Sequence, residues 1–131
     1  MELKFNNRDP VYRQVIQYFK IQIAKGTLEP GEEIPSRREL ANKLKINPNT
    51  AQRAYKEMEE EGLIFTEGNL PSRVTKDKQV LRAVREELIM EATETFIQTM
   101  HAINVSLDEV VQRVTDNYQS HLEEGEKDDR S

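Results

Sequence analysis

Asn49, Gln52, Arg53 and Lys56 recur at i, i+3, i+4 and i+7, the spacing that sets four side chains on one face of a helix. Their shared chemistry is planar or point-charge recognition. Arg can grip the two acceptors on a guanine edge, Asn and Gln can do the same for adenine, and Lys meets phosphate as a compact charge. Arg37, Arg38, Lys43 and Lys45 lie just upstream, and between Arg37 and Arg53 the only acid is Glu39. The whole chain nevertheless has a formal net charge of -5. A nucleic acid feels the local field rather than that total, because exposed charges are screened beyond about 8–10 Å in physiological salt.

Other chemistries find little support. The chain has no Cys, which excludes disulfides and thiolate metal sites and fits a reducing compartment. Its two histidines, His101 and His121, have no ligand motif between them. Ser36 and Ser106 open helices as caps and are poor nucleophiles, and no glycine-rich phosphate loop is present. No catalytic constellation, metal or cofactor is expected, so the chain is read as a binding protein and not an enzyme. Nor does it carry a signal peptide or an apolar run long enough to span a bilayer, which points to the cytoplasm and away from membranes.

The elements around the stripe explain how it would be presented. Asp9-Pro10 reads as a cap and first helical residue, followed by Val15, Phe19 and Ile23 on one apolar face, with Gly26 as the stop. Leu28-Glu29-Pro30-Gly31 is a turn. Ser36-Arg37-Arg38-Glu39 is a capping box that starts a short second helix buried through Leu40, Ala41 and Leu44. Asn47 caps and Pro48 begins a third helix, to about Glu61, after only Lys45 and Ile46: a helix-turn-helix signature. Ala51, Ala54, Tyr55 and Met58 form the third helix's buried side, and Gly62 ends it. Two short strands around Glu67-Gly68-Asn69 make a wing. A polar stripe alone is what solvent selects on any helix. Its coincidence with two helix starts, a tight turn and a strand pair makes DNA reading an equal alternative.

From about residue 76 the pattern changes. A long helix carries Leu81, Val84, Leu88, Ala92, Phe96 and Met100 in one apolar line, and the box Ser106–Glu109 opens a last helix with Val110 and Val114 on one side. The first line is longer than that following helix could cover. Leu81, Val84, Leu88, Ala92, Phe96, Val110 and Val114 are therefore expected at a dimer seam. Residues 1–75 carry 12 Lys and Arg against 11 Asp and Glu, and residues 76–131 carry 7 against 13. The expected organisation is mainly α (α+β): an N-terminal winged helix-turn-helix over 1–75, a two-helix dimerisation segment over 76–120, and a disordered acidic tail over 121–131. The rival reading is a winged-helix protein–protein interaction module without specific DNA binding.

Several segments, in order, resemble the GntR family of bacterial transcription regulators. PVYRQVIQYFKIQIAKGTLEPGEEIPSRREL is similar to that family's opening helix, G-x-L-x-P-G turn and P-S-x-R-x-L helix start. Within NPNTAQRAYKEMEEEGLI, the run N-P-N-T-x-x-R-A-Y resembles the YtrA-like subfamily, as does INVSLDEVVQRV near the end. The resemblance spans roughly residues 8–120. It implies a dimeric regulator, commonly a repressor, on an inverted-repeat operator in double-stranded DNA, often of an operon for an ATP-driven transporter. It implies DNA contacts at Arg38, Asn49, Thr50 and Arg53, with Gly68 at the wing tip. The polar face adds Arg37 and Lys56 to these, beside Gln52 of the stripe; Asn47 at the start of the third helix is a further candidate, and Arg73 is the one basic residue of the wing. A small-molecule effector, unnamed by the sequence, would sit at the dimer interface or between head and helix. Two departures stand out. The turn usually has Gly where this chain has Lys45, and the wing usually reads G-x-G-T-F-V where this chain has Gly68-Asn69-Leu70-Pro71-Ser72-Arg73-Val74.

Overall fold

The computed structural model describes residues 2–130. Its elements run α1 (Val11–Lys25), α2 (Arg37–Leu44), α3 (Pro48–Glu60), β1 (Ile64–Phe65), β2 (Arg73–Val74), α4 (Lys78–Ala102) and α5 (Leu107–Arg130). The chain divides into two compact units, Met1–Ile89 and Met90–Ser131.

In the first unit, a head, α1 starts one residue later than expected. Pro10 is the cap and its carbonyl accepts from the Arg13 and Gln14 amides, while Asp9 takes a hydrogen bond from Asn6 Nδ2 instead of capping. Gly26 closes α1 at φ 83°, a left-handed conformation that only glycine adopts without strain. Ser36 Oγ accepts from the Glu39 amide and Asn47 Oδ1 from the Asn49 amide, so both helices of the helix-turn-helix are capped as their sequences require. Lys45 stands in the turn at φ 55°.

β1 pairs antiparallel with β2, Ile64 opposite Val74 and Phe65 opposite Arg73. The turn before α2 lines the other edge of β2: Val74 donates to the Glu32 carbonyl at 2.9 Å and Ile34 to the Ser72 carbonyl at 3.0 Å. Between these layers Val15, Phe19, Leu40, Tyr55, Met58 and Val74 are fully buried. Phe19 and Tyr55 meet edge to face, 6.0 Å between centroids.

The first half of α4 belongs to this head. Val84 is a core residue, 2 % exposed, and Val80, Leu81 and Leu88 pack against the same cluster. Of the residues expected at a dimer seam, Val84 is thus buried within one chain, while Leu81 and Leu88 are half-buried beside it. The first compact unit accordingly extends to Ile89 and takes in this half of α4. Lys20, buried on α1, ties three helices together: its Nζ is 3.3 Å from Glu61 at the end of α3 and 3.2 Å from Glu87 of α4.

The second unit is built from the rest of α4 and α5, with Asn104 in a left-handed turn between them and Ser106 capping α5. None of its described residues is buried. Phe96, Ile97, Ile103, Leu107, Val111, Val114, Tyr118 and Leu122 are all exposed. α5 continues to Arg130, so residues 121–130 are helical where disorder was expected, and Ser131 lies outside the described residues. Glu and Lys have good helix propensity, which the segment's composition supplies in spite of Gly125.

Candidate nucleic-acid interface

α3 presents the stripe that its sequence suggested. Ala51, Ala54, Tyr55 and Met58 are buried, and that fixes the rotation of the helix. Asn49, Gln52, Arg53 and Lys56 are consequently exposed together, with Thr50 half-buried beside them. No acidic residue occupies the first turn of α3, so the positive end of its dipole is left for an anion. Arg38, Lys43 and Lys45 are exposed on α2 and its turn.

Other candidates are committed elsewhere. Asn47 uses its side-chain oxygen as the cap. Arg37 turns inward: Nη2 is 3.0 Å from Glu59 Oε1, and the guanidinium lies 5.8 Å from the Tyr55 ring centroid. Its Nε is buried with no hydrogen-bond partner. Arg37 is thus part of the head's internal bonding, because Tyr55 and Glu59 of α3 face the start of α2. Gly68 sits at the wing tip with φ 56°. Arg73, exposed on β2, donates from Nη1 to the Gly31 carbonyl at 3.0 Å. The wing tip is left with Asn69 and a 60 % exposed Leu70, and no basic side chain.

The structure also supplies residues that sequence reasoning missed. Glu59 accepts from Thr66 Oγ1 at 2.9 Å as well as from Arg37, and Thr66 shares a 2.6 Å hydrogen bond with Ser72. One carboxylate of α3 thereby meets α2 directly and, through Thr66 and Ser72, the loop between the wing strands. Around Arg53, Glu57 stands 3.5 Å from Nε and the Tyr12 ring centroid lies 3.8 Å from Cζ. Tyr12 in turn accepts from Arg13 Nε at 3.1 Å. The i+4 position of Glu57 was legible as a helix pair, whereas nothing in the spacing of α1 told which helix Tyr12 would face.

A capped helix pair, a short strand pair on its flank and an exposed polar stripe on the second helix define the winged helix-turn-helix class of DNA-binding heads. Residues 11–74 match the family described as bacterial regulatory proteins, gntR family. The HTH-type transcriptional repressor YtrA of Bacillus subtilis is 36% identical over 102 residues, 77% of this chain and 78% of that protein. The uncharacterized HTH-type transcriptional regulator YhcF of the same organism is 28% identical over 87% of this chain and 94% of its own length. Among solved structures, a GntR family transcriptional regulator from Listeria monocytogenes superposes with a TM-score of 0.81 at 34% identity, over 86% of this chain and 98% of that one. This chain belongs to the GntR family and is a DNA-binding transcriptional regulator. Its relatives are regulators rather than enzymes, and no described helix is long and apolar enough to cross a membrane.

Proposed function

We propose that this protein is a cytoplasmic, dimeric repressor that binds an inverted-repeat operator, with α3 in the major groove of each half-site. The exposed stripe Asn49, Gln52, Arg53 and Lys56 on a rigidly packed helix carries the reading. Arg38, Lys43 and Lys45 hold backbone phosphates beside it, and Thr50 and Gly68 meet the DNA at the rim and the wing tip. Dimerisation is supported by the second unit, which has many exposed apolar side chains and no buried described residue. A pair of such units can bury what one leaves in water. Ala92, Phe96, Val110 and Val114 remain the seam in this reading. A small-molecule effector would enter the groove of about 560 Å³ between Phe96, Met100, Val114 and Tyr118. The relative named a repressor supports the sign of regulation. The subfamily resemblance directs the search for targets to operons of ATP-driven transporters.

Selection from a random duplex library at two salt concentrations tests this function. Enrichment of an inverted repeat with half-sites about one helical turn apart is the expected result. Weak, salt-sensitive retention without sequence enrichment would reject specific operator binding.

A further inference from the structure

We propose that Tyr12 of α1 is a positioning residue for DNA reading: its ring holds the Arg53 guanidinium already aimed before a base edge arrives. The inference rests on the DNA-reading function given above. A free arginine on a helix surface samples many rotamers, and ordering it on contact weakens binding. Arg53 is 61% exposed yet held from two directions, with the Tyr12 ring against its face and the Glu57 carboxylate at its Nε. Stacking takes the flat face, and Glu57 takes Nε. The two Nη groups stay in the guanidinium plane, where a bidentate partner such as a guanine edge would meet them. Tyr12 makes a firm platform, because it is 9% exposed within the head's core and its hydroxyl is fixed by Arg13. An aliphatic residue could fill the same space, but it would offer no π face to a cation.

Competition binding supplies the test. The base pair read by Arg53 is the operator position whose preference Arg53→Ala abolishes, with a loss of about tenfold in discrimination. Tyr12→Leu is expected to lose roughly fivefold at that position alone, and to add nothing when combined with Arg53→Ala. Tyr12→Phe keeps the ring and should restore the preference. Unchanged discrimination in a folded Tyr12→Leu protein would overturn the positioning role, and so would a Tyr12→Phe protein as impaired as the leucine variant. If the leucine variant does not fold, NMR of the unmodified protein decides. Arg53 δ protons shifted upfield by the ring support the inference, and shifts typical of a free arginine overturn it. A protein with no sequence preference at any position would instead sink the operator-reading function beneath it.

Discussion

Each of three glutamates near the end of α3 answers a basic residue of the head: Glu57 meets Arg53, Glu59 meets Arg37, and Glu61 meets Lys20. The first pair is four residues apart and could be read from a helical wheel. The others join α3 to α2 and α1, and no local spacing encodes them. Two neighbouring arginines therefore part company. Arg38→Ala should leave the melting temperature unchanged while lowering DNA affinity and reducing the salt slope of binding by about 1. Arg37→Ala should destabilise the head by about 1–2 kcal/mol in denaturant melts, because Glu59 and the wing hydroxyls lose their cation. Lys20 gives a pH dependence. Desolvation lowers its pKa, but Glu87 and Glu61 outweigh that and the net shift is upward from 10.5. A raised lysine contributes stability that is complete below its unfolded pKa and is lost as pH rises through the folded value. Buried Tyr55, also raised from its ordinary 10.0, works in the same direction, since only the unfolded chain releases that proton easily. Melts at pH 8 and pH 11 should show Lys20→Met losing less stability between the two than the unmodified protein.

At the scale of elements, caps and periodicities were written in the sequence. Ser36, Asn47 and Ser106 cap where their types require, and the buried sides of α1 and α3 follow their apolar spacing. Which element covers which face was not written there. The apolar line of α4 looked continuous from Leu81 to Met100, yet its first part fills the head and its later part lies in the other unit. Periodicity reports that a face must be covered without reporting by what. Likewise a basic residue in a wing strand says nothing of its direction, and Arg73 turned to the Gly31 carbonyl. The turn between α2 and α3 shows a local conflict. Lys45 holds φ 55°, where a side chain is strained by about 1 kcal/mol. Lys45→Gly should raise stability by about 0.5–1 kcal/mol in urea melts, the gain limited by the freedom glycine adds to the unfolded chain. The same substitution should weaken DNA binding at low salt if the lysine meets phosphate, so the natural residue would trade stability for contact.

For the whole molecule, the two units place opposite demands on their surroundings: the head carries its own core, and the second unit has none among its described residues. In the proposed dimer, Val114→Glu should therefore shift sedimentation to monomer while the head's melting stays as it was. An unchanged dimer would move the seam elsewhere on α4 and α5. The first half of α4 has a consequence for exchange between relatives. The matched family segment ends at Val74, but Val84 belongs to the head's core cluster and Glu87 reaches Lys20 of α1. A chimaera grafted at residue 75 would leave the core cluster without Val84 and Lys20 paired with Glu61 alone, whereas one joined after Ile89 would carry Val84 and Glu87 along with the head. Expression and thermal melts of the two grafts should separate them clearly, and lineages that shuffle these heads would meet the same seam.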